Sequence, residues 1–314
     1  MNIGILSTSS IAPRFIAAVR EEGSFQITAL SSRSLEKARE KADAWQIPTA
    51  YGSHEELLAD ADVDIVYIST VNSAHYCYAK AALLAGKHVI CEKPCTTTEA
   101  QTRELFALAK ERKLFLMEAQ KMLFLPAVQA VKEAIDSGKL GAVRMAEFNH
   151  SFYGSYNNWM YDEAAGGGPL LSSAIYVIEL LQYLFDCKIA EIDGICTKYP
   201  GTNVEEQYAI SGRMENGVLF SLKNSTVALL KNGACFYGEK AYAELPDYWK
   251  ARKVMFCDHQ TTQVQEHPCN HELRYEVEHI AECFRTGLLE SPVVTGEFST
   301  QAIRILEQIK AKWN

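Results

Sequence analysis

The first 120 positions alternate between short apolar runs and longer stretches in which apolar residues recur at helical spacing. The short runs predict β-strands at residues 3–6, 25–30, 63–68, 89–91 and 114–117. The helical spacing predicts helices at residues 11–20, 35–45, 74–84 and 98–110. Because strands alternate with helices, the pattern predicts an α/β fold with a doubly wound parallel sheet.

The pattern changes after residue 120, where strands and turns come to predominate. Asn216-Gly217 separates two apolar runs and predicts a tight hairpin, and residues 237–241 predict a second turn. Further helices are predicted at residues 126–137, 170–185, 271–286 and 297–312. We therefore predict two domains, 1–120 and 121–314, of which the second is an α+β domain with a mainly antiparallel sheet.

Composition excludes several classes of partner. The formal net charge of −8 argues against nucleic acid or an anionic membrane as a partner. No apolar run reaches the roughly 18 residues of a membrane-spanning helix, and the first residues lack the pattern of a signal peptide. The nine cysteines are scattered without a CxxC pair, which favours reduced thiols and a cytoplasmic location. The sequence from His267 to His271 matches no standard zinc spacing, so no metal site is predicted.

The turn after the first predicted strand is the expected position of a nucleotide-binding glycine motif. Here serines stand at the first two glycine positions and Ala12 at the third. Backbone amides at the start of a helix bind phosphate whatever the side chain, and hydroxyls add donors. The residues predicted to bind the cofactor diphosphate are Ser7, Thr8, Ser9, Ser10 and Ile11. The alternative, compatible with this one, is that the hydroxyls cap the first helix.

The ends of the next two strands predict further contacts with the cofactor. Ser32 and Arg33 follow the second strand, where an acidic residue would favour NAD. An arginine flanked by hydroxyls suits the 2′-phosphate of NADP, so NADP is preferred over NAD. The alternative for Arg33 is a surface arginine that ends a strand. Beyond the third strand, Thr70, Asn72 and His75 face the same crevice, although His75 equally suits an ordinary helix start.

A charged pair and a proline end the fourth apolar run of this half. Glu92 and Lys93 follow residues 89–91 and precede Pro94, whose ring fixes the backbone. In a parallel sheet the carboxyl ends of the strands face the ligand crevice. Glu92 and Lys93 are therefore predicted at the cofactor, the alternative being a solvated pair that caps the strand.

Several stretches together resemble the Gfo/Idh/MocA oxidoreductases. They are GILSTSSIA at 4–12, STVNSAHYCYAKAALLAGKHVICEKP at 69–94, LFLMEAQKMLFLP at 114–126, AGGGPLLSSAIYVIELLQYLFD at 165–186 and HELRYEVEHIAECFRTGLLESPV at 271–293. The EKP motif after AGKHV is the most specific of them. Within the family, the chain looks closest to the dihydrodiol and xylose dehydrogenase-like branch.

The resemblance implies a Rossmann domain followed by a domain with a large open sheet, one face of which commonly serves as a subunit interface. It implies a homo-oligomer, dimer or tetramer, formed through that sheet. It also implies a nicotinamide-dependent enzyme that acts on a sugar, polyol or related diol, with Lys93 beside nicotinamide and substrate. The Lys93–Pro94 bond is expected to be cis.

In active members of the family, the glycine-rich turn leads a helix that carries an aspartate and, four residues on, a histidine or tyrosine. Aligned on the glycines, this chain has Ser172 at the first position and Tyr176 at the second. Tyr176 and Lys93 are predicted as the catalytic residues, with Lys93 tuning the tyrosine as a proton acceptor. Without the family spacing, Tyr176 would be interpreted as a core residue of an apolar helix.

Substrate binding is assigned to Lys93, Ser172 and Tyr176, and to Tyr156 and Trp159 of an aromatic loop. That loop equally suits a packed subunit contact. The hypothesis is an NAD(P)-dependent oxidoreductase that transfers a hydride between nicotinamide and a sugar, polyol, diol or related carbonyl. The alternative hypothesis is a weak or inactive NADP-binding sensor of the same fold, because the carboxylate and the phosphate-loop glycines are missing.

Overall fold

The computed structural model describes residues 1–152 and 158–313, which form two compact units. The first unit comprises Met1–Gln120 and His271–Ile303. The second comprises Lys121–Asn270 and the chain from Arg304 onward. The division into domains 1–120 and 121–314 stays a prediction, and these compact units group residues 271–303 with the first unit.

The first unit is built on a six-stranded sheet in which every strand pair is parallel. Its strands are β1 (Asn2–Leu6), β2 (Gln26–Ser31), β3 (Thr49–Tyr51), β4 (Ile65–Ile68), β5 (His88–Glu92) and β6 (Leu116–Ala119). Their order across the sheet is β3-β2-β1-β4-β5-β6. This is the order of a Rossmann fold, and the doubly wound parallel sheet predicted from the sequence is confirmed. The order reverses between β1 and β4, so the ends of these strands mark the ligand crevice.

Helices connect these strands, and two more come from the carboxyl-terminal part of the chain. They are α1 (Ala12–Glu22), α2 (Leu35–Trp45), α3 (His54–Ala59), α4 (His75–Leu84), α5 (Glu99–Arg112), and then α8 (Arg274–Arg285) and the first part of α9 (Gly296–Trp313). The α3 helix begins with a capping box in which Ser53 and Glu56 satisfy each other's backbone amides. Among the aromatic core residues, Phe15 of α1 stacks on Tyr67 of β4 with centroids 3.7 Å apart.

The second unit is built on an eight-stranded sheet. Its strands are β7 (Val143–Ser151), β8 (Ile189–Lys198), β9 (Glu205–Met214), β10 (Leu219–Ser225), β11 (Gly233–Gly238), β12 (Tyr242–Pro246), β13 (Lys253–Cys257) and β14 (Thr262–Glu266). The order is β14-β13-β12-β11-β7-β10-β9-β8, and only the pair of β7 and β10 is parallel among the described residues. The predicted, mainly antiparallel sheet is thus confirmed, as is the hairpin at Asn216-Gly217 that joins β9 to β10.

One face of strands β9–β12 is buried, because buried residues alternate along them with more exposed ones. The helices of the unit are α6 (Pro126–Asp136), α7 (Ile175–Phe185) and the end of α9. Short 3-10 turns lie at Lys121–Phe124 and Tyr248–Lys250. The long helix predicted at residues 170–185 is divided, because Leu170–Ala174 forms a π-helical turn that leads into α7. Such turns often occur at functional sites.

Candidate active site

The turn between β1 and α1 lies at the switch point of the parallel sheet and is tied to the neighbouring strand end. Ser7 has a φ of 126°, a backbone conformation that favours glycine. Its hydroxyl donates to the Ser69 carbonyl at 3.0 Å and accepts from the Ser9 amide at 3.1 Å. The Ser9 hydroxyl donates to that of Ser69 at 2.8 Å. The first and third hydroxyls of the turn therefore hold the turn itself together.

Three backbone amides of this turn remain without an acceptor in the described parts of the chain, namely those of Thr8, Ser10 and Ile11. The N-cap residue of α1 is Ile11, and no side chain caps this helix. The alternative in which the serines cap α1 is therefore wrong. Unpaired amides at the start of a helix are the donor set that binds a phosphate group. The residues present thus fit the diphosphate of a dinucleotide.

Past the end of β2, a buried serine is followed by an exposed arginine. The Ser32 side chain is buried, and its amide donates to the Tyr51 carbonyl at 3.2 Å. Arg33 is exposed and makes no hydrogen bond or ion pair with any residue that the structure describes. Its charge is close enough to His54 to add to the effect of burial in lowering the pKa of that histidine.

The loop that follows β5 holds Lys93 between fixed neighbours. The Lys93–Pro94 peptide bond is cis, as expected. On one side of the lysine, the Tyr67 hydroxyl donates to the Glu92 carboxylate at 2.6 Å. On the other side, the Cys95 amide donates to Glu118 of β6 at 3.0 Å. The side chain of Lys93 is half-buried. The backbone that carries it is anchored on both sides by these two hydrogen bonds.

His75 anchors the same loop. It is 1% exposed, its Nδ1 lies 2.8 Å from the Pro94 carbonyl, and its Nε2 lies 3.2 Å from the Thr70 carbonyl. Burial lowers the pKa of this imidazole, so it is neutral at pH 7 and donates through one nitrogen at a time. Nearby, Asn72 is buried and the Thr70 hydroxyl donates to the Val71 carbonyl at 3.3 Å.

In the second unit, the hydroxyl of Tyr176 meets a lysine that was not assigned from the sequence. Lys121 Nζ donates to the Tyr176 hydroxyl at 2.9 Å and lies 5.0 Å from the centroid of its ring. Both side chains are buried, at 8% exposure for Lys121 and 6% for Tyr176. Burying an ammonium costs several kcal/mol unless it is paired. The hydrogen bond to Tyr176 therefore offsets part of the cost of burying Lys121.

Ser172 lies in the π-helical turn before α7. Its hydroxyl donates to the Gly168 carbonyl at 2.8 Å. Gly168 has a φ of 101°, and a Cβ there would collide with the Glu205 carboxylate. Glu205 is buried and accepts from the Leu170 amide at 2.7 Å. The glycine-rich turn therefore closes over a carboxylate that accepts from the first amide of the helix.

An aromatic cluster lies next to Tyr176. His150, at the end of β7, stacks on Trp249 with ring centroids 3.9 Å apart, and Trp249 meets Tyr248 edge-on. Tyr248 is fully buried, which raises its pKa well above the ordinary value, and the charge of Tyr176 raises it further. Of the predicted aromatic loop, Trp159 is half-buried and Tyr156 lies outside the described residues.

Sequence reasoning missed Lys121, Glu118 and Glu205. Lys121 interrupts an otherwise apolar stretch, and Glu118 is a single acid at the end of the buried strand β6. Both were visible signals, since a charge in an apolar run demands a partner. Glu205 carries no such signal, because it stands beside the polar Glu206 and Gln207.

Residues 1–152 and 158–313 contain no group of three or more His, Cys, Asp or Glu side chains placed to hold a metal ion. No helix in these two stretches has the length and apolar character needed to cross a membrane.

Both units match known family profiles. Residues 1–120 match the oxidoreductase family with an NAD-binding Rossmann fold, and residues 128–244 match the GFO/IDH/MocA C-terminal domain. Over its full length, the chain is 32% identical to trans-1,2-dihydrobenzene-1,2-diol dehydrogenase of Macaca fascicularis, with 98% of this chain and 95% of the relative covered.

Two solved structures illustrate the shared fold. A 3-ketoreductase from Actinomadura kijaniata in complex with NADP and TDP-benzene superposes with a TM-score of 0.90 at 23% identity, covering 99% of this chain and 97% of its own. Levoglucosan dehydrogenase in complex with NADH and levoglucosan superposes with a TM-score of 0.89 at 19% identity, covering 100% and 98%.

Proposed function

Because this chain belongs to the GFO/IDH/MocA family of NAD(P)-dependent oxidoreductases, we propose that it transfers a hydride between nicotinamide and an alcohol carbon of a sugar, polyol or diol. The observation that carries the proposal is the full-length similarity to a diol dehydrogenase, which spans both units. The unpaired amides after β1 support binding of the dinucleotide.

The catalytic residues in this proposal are Lys93 and Tyr176. When bound, the nicotinamide supplies or accepts the hydride. Tyr176 accepts the proton of the reacting hydroxyl in the oxidation and returns it in the reduction. Lys93 binds and orients the reacting oxygen of the substrate. The anchored loop around Lys93 supports this role, because positioning of reacting groups lowers the barrier.

Five further assignments belong to the proposal. Ser172, Trp159 and Tyr156 line the substrate, and Ser7–Ser10 with Ile11 hold the diphosphate. Glu92, Ser32, Thr70, Asn72 and His75 complete the cofactor site, His75 through the loop that it anchors. NADP is the preferred cofactor, because Arg33 is exposed and makes no competing ion pair with any described residue. A cytoplasmic location is supported by the nine free cysteines.

A homo-oligomer, most simply a homodimer, forms through the open face of the eight-stranded sheet in this proposal. Its support is the apolar residues that this face exposes, among them Met145, Leu219, Tyr242 and Val264, and Ile195 at 75% exposure. Met145 and Leu219 are paired neighbours in β7 and β10. Replacing both by lysine should yield a monomer in light scattering, whereas lysine at Leu229, outside the strands and 84% exposed, should not.

The decisive experiment titrates the protein with NADPH and NADH by nicotinamide fluorescence and then assays turnover on diols, aldoses and polyols. Arg33→Gln should lower NADPH affinity at least tenfold and leave NADH affinity unchanged, with the exposed Arg39→Gln as the matched control. Lys93→Met and Tyr176→Phe should each lower kcat at least tenfold. Tyr183→Phe, on the same helix as Tyr176, should not.

One observation favours the second candidate, a sensor that binds NADP without turnover. Ser172 replaces the family carboxylate, and its hydroxyl donates to the Gly168 carbonyl. Tight NADPH binding without turnover across the panel would support the sensor. Turnover with Lys93→Met and Tyr176→Phe fully active would reject the catalytic assignment. Absence of binding to either cofactor would reject both functions.

A further inference from the structure

The buried contact between Lys121 and Tyr176 joins two elements that are far apart in the chain. Lys121 is the first residue of the 3-10 turn that follows β6, and Tyr176 is the second residue of α7. The ammonium donates directly to the phenolic oxygen at 2.9 Å. An ammonium at this distance stabilises the phenolate relative to the phenol, because the hydrogen bond strengthens as the oxygen gains charge.

The surroundings keep the ammonium of Lys121 close to Tyr176. The Lys121 side chain is 8% exposed, and the next two residues, Met122 and Leu123, are fully buried. Water screens a buried pair less than a surface pair, so the charge acts on the phenol more strongly than it would at the surface. A lysine exposed to solvent would be neither held close to the phenol nor shielded from screening by water.

Besides His150, which is fully buried and stacks on Trp249, four titratable groups lie on elements around Tyr176, and none of these four takes over this role. Tyr248 is fully buried, and its raised pKa keeps it protonated. Glu179, three residues along α7, is buried and of the wrong sign to stabilise a phenolate. On α6, Lys132 is paired with Asp136 and with Asp186 at the far end of α7. Lys250 is exposed and lies 5.5 Å from the Trp249 ring.

We propose that Lys121 is a positioning residue for catalysis, which holds the Tyr176 hydroxyl and stabilises its phenolate so that Tyr176 exchanges the substrate proton near neutral pH. The inference rests on the proposed function of Tyr176. In the oxidation, the substrate O–H bond breaks and the proton forms the Tyr176 O–H bond, while the C–H bond gives its hydride to the cofactor and the carbonyl forms. Lys121 keeps its three protons throughout. In this arrangement Lys93 binds the reacting oxygen, and Lys121 rather than Lys93 tunes the tyrosine.

The first test is the pH profile of kcat/KM for the oxidation. In Lys121→Met, the rise of activity with pH should move at least one pH unit upward, and activity should recover in part at alkaline pH. Lys121→Arg keeps the cation and should stay near the wild-type profile. If Arg and Met variants move equally, the charge of Lys121 is not the cause and the inference is wrong.

The second test reads Tyr176 directly and needs no substrate. The protein is labelled with 13Cζ-tyrosine, the Tyr176 signal is assigned as the one missing in Tyr176→Phe, and its shift is followed with pH. In Lys121→Met, the phenolate should appear at least one pH unit higher than in the wild type. Equal titration of Tyr176 in both proteins overturns the inference whatever the activities are.

The matched control is Lys87→Met. Lys87 is as buried as Lys121, at 8% exposure, but donates to the carbonyls of Asp60 and Val63 in the first unit. Its loss should lower stability without moving the Tyr176 signal. Circular dichroism confirms the folding of each variant.

If the wild type turns over no substrate, the proposed function fails while the labelled tyrosine still decides the role of Lys121. If Tyr176→Phe is inactive but Lys121→Met changes neither the pH profile of kcat/KM nor the titration of Tyr176, only the inference about Lys121 fails.

Discussion

At the scale of single residues, the turn between β1 and α1 shows that serine can stand where glycine is expected, at a cost in backbone strain. Ser7 keeps a φ of 126° because its hydroxyl is bonded to both Ser69 and Ser9. A side chain at positive φ costs about 1–3 kcal/mol, and two hydrogen bonds offset that cost. The turn therefore retains the backbone of a glycine motif without the glycine.

This balance predicts an order of stability among Ser7 variants. Ser7→Ala and Ser7→Gly lose the same two hydrogen bonds, but only Gly relieves the backbone. Ser7→Gly should therefore be more stable than Ser7→Ala by about 1 kcal/mol in urea unfolding without cofactor. An alanine variant that equals or exceeds the glycine variant would show that the positive φ carries no strain.

The residues that pair across long chain separations are the ones that pattern reading misses. The sequence shows Tyr176 through the glycine spacing and shows Lys121 as a charge in an apolar stretch, but not that the two meet. They are separated by 55 positions, and their contact depends on how the turn after β6 packs against α7. Lys93 was found because its motif is local, a strand followed by a charge and a proline.

At the scale of elements, regular periodicity is recovered from the sequence and irregular elements are not. The helix α2 falls at its predicted bounds, residues 35–45. The three-residue strand β3 and the six-residue helix α3 were missed, since each is shorter than two repeats of its hydrophobic pattern. The capping box from Ser53 to Glu56 was the available signal for α3. The π-helical turn at Leu170–Ala174 has no such signal, because its sequence, Leu-Leu-Ser-Ser-Ala, does not distinguish a π-helical turn from an α-helical one.

The hydrogen bond between β6 and the loop after β5 predicts that the buried carboxylate of Glu118 helps to hold Lys93 in position. Glu118 of β6 accepts from the Cys95 amide, two residues beyond Lys93. Glu118→Ala leaves that buried amide without its acceptor, a loss of about 1–3 kcal/mol that loosens the loop. We expect kcat to fall at least tenfold.

Glu118→Gln is the matched variant for this loop, because its amide oxygen still accepts from Cys95. It should keep most of the activity and of the stability, measured by urea unfolding beside the steady-state kinetics. Full activity in Glu118→Ala would show that the loop holds Lys93 without this bond.

At the scale of the whole molecule, histidines whose pKa is lowered by burial are concentrated in the first unit, although His150 of the second unit is also fully buried. Burial lowers the pKa of His54, His75, His88 and His279, the last to about 4. All four lie in the first unit. In the second unit, burial instead raises the pKa of Glu205. This distribution could not be read from the sequence, because residues 271–303 join the first unit only in the folded chain.

The unequal distribution predicts that mild acid opens the first unit before the second. A histidine with a lowered folded pKa binds its proton more weakly in the folded state, so its contribution to stability is complete above the unfolded pKa near 6.5 and is lost as the pH falls toward 4. Glu205 has the opposite sign, since a carboxyl with a raised folded pKa gains relative stability as the pH falls.

Hydrogen exchange by mass spectrometry at pH 7 and pH 5, corrected for the intrinsic rate, should therefore show protection lost first in residues 1–120 and 271–303. His279→Gln should reduce the proton uptake on unfolding by about one proton and weaken this loss. Earlier loss of protection in residues 121–152 or 158–270 would contradict the assignment of acid sensitivity to the buried histidines.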